Sequence, residues 1–211
     1  MTQSDTHFYE PEAGHGLVHD PLKAIIAPRP IAWISTVDRD GRHNLAPYSF
    51  FNAVSSDPPI VFFSSERENS DTLKNARETG EFVVNVATGA LAAQVSDSSA
   101  PFPHGVSEFG EVGLTPSPCR IVRAPRLSES PASLECKVTD IRKPVGLDGA
   151  ESLSTMVFGQ VVGVHIRRDA IRDGRFDTAG AGLLGRCGYL SDYIVASPIV
   201  KVTRPKDITR D

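Results

Sequence analysis

Three segments of the chain concentrate side chains able to hold and orient a ligand. "APRPIAWIST" sets Arg29 between Pro28 and Pro30 and runs on through Trp33 to the hydroxyls of Ser35 and Thr36. "NLAPYSFFNAVSSDPP", residues 44–59, has aromatics and Val at strand spacing, interrupted by amides, serines and prolines. It offers Asn44, Ser49 and Asn52 as polar groups, Phe50 as an apolar one, and small Ala46 beside Pro47. At those small residues a flat body can approach the backbone. "SSERENSDTLKN" brings Ser64 and Ser65, then Arg67, Thr72 and Asn75 around a helix start. Hydroxyls, a cation and a helix N-terminus together suit a phosphate. Each segment alone has an ordinary explanation, because a Ser/Asn-rich strand edge is commonly just solvated and "NSDTLKN" is itself a competent helix cap. Three complementary segments in close succession point instead to one ligand.

The three segments fit together if that ligand is flat, apolar in its body, polar along one edge, and phosphorylated. Flavin mononucleotide (FMN) has this make-up. No carboxylate pair or catalytic triad is visible, and a flavin site needs neither, since the cofactor carries the redox chemistry. The side chain we single out as a catalytic candidate is His104, in the long loop ahead of Glu108, although a loop histidine is more often merely exposed.

Other motifs carry less. "GAGLLG", residues 180–185, matches GxGxxG, but it lacks the strand before, the helix after and the acidic residue downstream that a dinucleotide site requires. His15 and His19 have i,i+4 spacing with Gly16 between them and no third ligand nearby, so no metal is expected there. Cys119, Cys136 and Cys187 are odd in number and far apart, without a CxxC pair, which suggests neither a disulfide framework nor a zinc site.

The elements that must position these groups are mostly strands. "IAWISTV" and "HNLAPYSF" flank the turn "DRDG" and read as a hairpin. "IVFFSS", 60–65, reads as a strand buried on both faces, and "EFVVNVA" as another. Between them "SDTLKNARETG" carries a helix, with Ser70 or Asp71 as N-cap and Gly80 as the stop. Residues 89–97 favour a second helix, and a Pro/Gly/Ser-rich loop follows. Later strands are expected over 133–143, 154–166 and 193–202. Six or more strands without regular strand-helix alternation predict a mainly β, closed or nearly closed antiparallel barrel with a few short peripheral helices.

"PRPIAWIST", "NLAPYSFFNAVSSDPP" and "NSDTLKNARETGEFVVNV", with "SEFGEVGLTPSP" and "FGQVVGVHI" further on, resemble the flavin reductase-like proteins. That resemblance implies a Greek-key, FMN-binding split β-barrel over residues 18–203, with an N-terminal arm (1–17) and a C-terminal tail (204–211). It implies a homodimer with the flavin sites at or near the subunit interface. It places Arg29, Trp33, Ser35, Asn44, Ala46, Ser49, Phe50 and Asn52 around the ring, and Ser64, Ser65, Thr72 and Asn75 at the ribityl chain and phosphate. Arg186 and Tyr189 would reach a flavin from the partner chain. The implied reaction passes a hydride from NADH or NADPH to flavin N5, with reduced flavin leaving for a monooxygenase or another redox partner. A tightly FMN-bound electron carrier is the alternative. One departure stands out: many family reductases have a histidine where this chain has Ser154 and Thr155.

The composition is ordinary for a globular domain, with 40% hydrophobic and 23% charged residues. A net charge of -4 supplies no general attraction to nucleic acid or an anionic membrane. No apolar run approaches the roughly 18 residues of a membrane helix, and the N-terminus has no signal-peptide pattern, so a cytoplasmic protein is expected.

Overall fold

The computed structural model describes residues 5–196 and 198–202. Its main sheet has seven strands: β1 (Ala32–Val37), β2 (His43–Tyr48), β3 (Phe51–Ser56), β4 (Pro59–Ser65), β5 (Glu81–Val86), β6 (Ala132–Arg142) and β7 (Thr155–Ile166). Their spatial order is β2-β1-β5-β6-β7-β4-β3, with every neighbouring pair antiparallel.

That order contains its own closure argument. β2 ends at Tyr48 and β3 begins at Phe51, yet these strands stand at opposite ends of the sheet. Ser49 and Phe50 leave at most about 11 Å between them. The sheet must therefore curl until its edges approach; the amide of Ser64 on β4 donates to the Phe50 carbonyl at 2.9 Å and carries the β3–β4 pairing one residue into this connection. Register shifts in the long β6–β7 ribbon, at Phe158/Gly159 and Val161/Gly163, provide local bends. The result is a Greek-key split β-barrel.

β1 lies between β2 and β5, with all six residues buried. Ala32 and Ile34 join Phe63, Leu73, Phe82, Cys136 and Val157 in one apolar cluster. Ile31 and Trp33 join Leu45, Val95, Phe109, Leu127 and Leu184 in another. Short helices cover the barrel: α1 (Leu22–Ile25), α2 (Asp71–Thr79), α3 (Ala92–Asp97) and α4 (Glu108–Glu111). Helix α2 follows its sequence signals, with the Ser70 hydroxyl accepting from the Leu73 amide and Gly80 in the left-handed region at φ 69°. Its Leu73 and Ala76 are buried against the first cluster.

Three expectations change. β4 is not buried on both faces: Phe63 is enclosed, but Phe62 is half-buried and packs its ring on Phe158 at 6.0 Å. α4 supplies a helical turn inside the stretch read as loop. The strand expected over 193–202 ends at Val195, with Pro198 following; residue 197 lies outside the described residues. The expected tail, 204–211, also lies outside them. At "GAGLLG", Gly182 (φ +60°) turns the chain into the short strand Leu184–Arg186, with no helix leaving it.

Candidate functional site

A cleft of about 690 Å³ opens where the edge strands approach each other. Its walls are the 44–50 segment, the 64–72 turn leading into α2, and the loop that carries Pro101, Phe102 and His104. The volume falls within the range for a small-molecule or cofactor site.

At one end the donors converge on the start of α2. The Asn44 amide nitrogen donates to Thr72 Oγ1 at 2.9 Å, and both side chains are buried. Thr72 accepts in that bond, and its hydroxyl also bonds with the phenol of Tyr48, so the proton it could offer a ligand oxygen is shared with that side chain. Ser65 Oγ accepts from the Arg67 amide at 3.2 Å and shapes the turn. The Arg67 side chain lines the cleft and makes no ion pair among the described residues.

Two of the acidic groups at the cleft, Glu68 and Asp71, are held by side-chain partners. Thr155 Oγ1 donates to Glu68 at 2.7 Å, Arg77 approaches its other oxygen at 2.6 Å, and the carboxyl is held below its usual range by the Thr155 hydroxyl first and Arg77 second. Thr155, at the position where a family histidine was sought, thus orients Glu68. Asp71 pairs with His104 Nδ1 at 2.5 Å, which fastens the 98–107 loop to the first turn of α2.

Another wall carries no charged side chain and is made by Ala46, Pro47, Tyr48, Ser49 and Phe50. Burial pushes the Tyr48 phenol above its ordinary range, while hydrogen bonds with Thr72, Ser70 and Ser65 act in the opposite direction. Glu108 lines the wall, buried, with Oε2 accepting from the Leu45 amide at 2.8 Å; burial raises its carboxyl above the usual range.

Of the residues selected from sequence, the structure brings Asn44, Ala46, Ser49, Phe50, Ser64, Ser65, Thr72 and His104 to this cleft. Trp33 sits behind it, fully buried, its indole N–H donating to Ser98 Oγ at 2.9 Å. Ser35 is also fully enclosed, between the Pro125 carbonyl and Asn85. A strand buried on both faces gives its hydroxyls to the core. Asn75 lies under the helix and donates to Thr36 Oγ1 at 3.0 Å. Asn52 is exposed on β3, with Oδ1 accepting from the Ala53 amide.

The three arginines separate by what already holds them. Arg29 is buried and donates to the carbonyls of Lys23, Ile26 and Cys187, with its guanidinium 6.0 Å from the Phe50 ring. Arg186 donates to the carbonyls of Tyr189, Leu190 and Asp192 and stacks on Tyr193 at 4.6 Å. Tyr189 is exposed, 5.7 Å from the His19 ring. Of these three, Arg67 is the one that lines the cleft.

Sequence reasoning missed Tyr48, Phe102 and Glu108 as cleft residues. Glu108 leaves only a faint signal, an acidic group flanked by Ser107 and Phe109, because nothing local shows that it meets the Leu45 amide.

This fold and cleft define a class. Residues 26–180 match the family described as Flavin reductase like domain, and the chain belongs to that family, which implies a flavin cofactor. An uncharacterized protein of Deinococcus radiodurans is 34% identical over 201 residues, covering 90% of this chain and 86% of that one. Nitrilotriacetate monooxygenase component B from Bacillus cereus superposes with a TM-score of 0.78 at 28% identity, covering 86% of this chain and 90% of the other. The Pseudomonas fluorescens 2-nitrobenzoate 2-nitroreductase NbaA gives a TM-score of 0.75 at 30% identity, with coverages of 87% and 88%. Among the described residues no helix is long and apolar enough to cross a membrane.

Proposed function

We propose that the cleft binds FMN and that the protein is an NAD(P)H-dependent flavin reductase. The observation that carries this reading is the make-up of the cleft's walls. The Thr72 and Ser65 hydroxyls, the α2 N-terminus and Arg67, which makes no ion pair among the described residues, line one part of the cleft, and the uncharged 46–50 segment lines another. This donor set fits a phosphorylated planar cofactor, and the nearby Glu68 and Asp71 charges already have partners. Arg67 and Thr72 hold the phosphate in this reading, with Ser64 and Ser65 beside it; Ala46 to Phe50 hold the ring.

When bound, the flavin supplies two-electron acceptance from a reduced nicotinamide and delivery to an acceptor. The chain's contribution is placement: Thr72 and Arg67 anchor one end, backbone groups along 46–50 orient the polar edge, and Phe102 with Pro101 limits water. The neighbour named as a monooxygenase component supports delivery of reduced flavin to a partner oxygenase. We also propose that the chain works as a homodimer.

The test is to purify the protein without added flavin, record its visible spectrum, and add NADH or NADPH anaerobically, with and without free FMN. Yellow protein bleached by a nicotinamide, with consumption proportional to free flavin in turnover, supports the reductase and names its donor. Yellow protein that stays oxidised replaces that reading with a carrier fed by another protein. Colourless protein that neither binds nor reduces FMN refutes both.

A further inference from the structure

Away from the cleft, three side chains with no part in flavin binding converge. Cys119 Sγ, a Glu135 carboxylate oxygen and a His165 ring nitrogen all lie within 4.8 Å of one another. The cleft's Ser64 pairs with Met156 on β7, and His165 lies nine residues further along that strand, roughly 30 Å away in extended chain. We propose that this cluster is a binding site for a soft divalent cation of the zinc type.

The ligand chemistry is the first support. A thiolate, an imidazole and a carboxylate are the three protein ligand types used for zinc, and together they favour it over calcium or magnesium, which prefer oxygen. Around a tetrahedral ion, two such atoms stand about 3.3–3.6 Å apart. The present separations bracket that value: Nε2 of His165 is 2.6 Å from Glu135 Oε1, and no pair exceeds 4.8 Å. Small side-chain rotations suffice.

The second support is the surrounding hydrogen bonding. Glu135 Oε1 accepts from the Arg120 amide at 2.9 Å, and Oε2 accepts from Ile121 and Val122 at 2.7 and 2.9 Å. These bonds use three of the carboxylate's four lone-pair positions and fix its plane, as outer partners do in metal centres. The fourth position points to His165, where a metal can replace the proton shared by Oε1 and Nε2. Cys119 precedes the clamped amides directly, so the same bonds position the thiol.

The third support is room and access. Gly163 faces the carboxylate, and a Cβ there would stand 3.2 Å from Glu135 Oε1, tighter than ordinary contact. His165 retains 23% side-chain exposure and Cys119 is half-buried, so an ion can enter and solvent can complete the coordination. An acid needed only to tether the 120–122 turn would require the three amides; the histidine and thiol go beyond that need.

The experiment treats the full-length protein with a chelator, removes the chelator, and titrates with Co(II) and then Zn(II), following difference spectra so that any flavin absorbance cancels. The expected result is one equivalent of Co(II) per chain, a near-ultraviolet thiolate-to-cobalt band, and loss of that band on adding Zn(II). Cys119→Ser should abolish the band, and His165→Gln, which keeps an N–H donor toward Glu135, should weaken binding at least about tenfold. Absence of stoichiometric binding overturns the proposal. A band that survives Cys119→Ser also overturns it by assigning the ion to another thiol, and unchanged affinity in His165→Gln removes the imidazole and the site with it. Circular dichroism of each variant confirms that a lost signal reflects lost ligands, not unfolding.

Discussion

Replacing Thr72 with Val removes one oxygen while keeping a β-branched side chain of similar shape, which isolates the hydroxyl's contribution. Thr72 Oγ1 accepts from Asn44 at 2.9 Å within a buried pair and its hydroxyl also bonds with the Tyr48 phenol, so a phosphate at this place competes with Tyr48 for the Thr72 proton. If that proton goes to the FMN phosphate, the bond is charge-assisted and contributes about 1.5–3 kcal/mol. The corresponding loss of FMN affinity is about 10- to 150-fold. Leaving Asn44 without its partner lowers stability in both free and bound protein and largely cancels from the binding difference. Riboflavin has the same ring without phosphate and serves as the control, so its dissociation constant should stay within about twofold. Fluorescence quenching titrations of both ligands against wild type, Thr72→Val and Thr72→Ser measure these effects, with Ser restoring most of the FMN affinity. Equal weakening of riboflavin and FMN, or no weakening of either, refutes the assignment of this end of the cleft to the phosphate.

Three further outcomes follow from the packing. Asn85 donates to Trp33 O and Ser35 Oγ and accepts from the Leu127 amide and Ser133 Oγ, so Asn85→Leu strands buried polar groups. It should cost about 3 kcal/mol and lower Tm by about 6–12 °C in a thermal melt; an unchanged Tm would show that the network is not needed. Gly159→Ala places a Cβ 2.5 Å from the enclosed Phe82 ring and should cost about 1–3 kcal/mol by chemical denaturation, whereas a neutral result would mean the β7 bulge can absorb the methyl. Glu108 has a folded-state pKa raised by burial, so the unfolded chain loses its proton first as pH rises, and ionised Glu108 diminishes folding stability above that interval. Glu108→Gln should therefore raise Tm at neutral pH relative to wild type, with the difference shrinking toward zero as pH falls below the ordinary glutamate range; a pH-independent difference contradicts this account.

Local chemistry alone determined much of the architecture. Ser70 and Gly80 bracket a helix because one side chain caps an exposed amide and the other residue accepts a left-handed turn. β-Branched and aromatic runs mark the strands, and the three ligand-like segments mark a candidate ligand site because hydroxyls, amides and small residues are arranged there at the expense of a dry core. These signals act over a few residues, so they can be read in one dimension.

The tertiary structure decided which groups remain free to act. Ser35 and Trp33 appear suited to a ligand until β1 is covered on both faces and they bond to Asn85, Pro125 and Ser98. Arg29, Arg67 and Arg186 are equivalent phosphate candidates in sequence, and only folding occupies two of them with carbonyls while directing the third to the cleft. Spacing likewise argued against metal at the cysteines, yet the β6–β7 ribbon and the turn before it carry Cys119, Glu135 and His165 to one place. Side-chain type fixes what a group can do, whereas burial, remaining lone pairs and neighbours from distant strands decide what it is available to do.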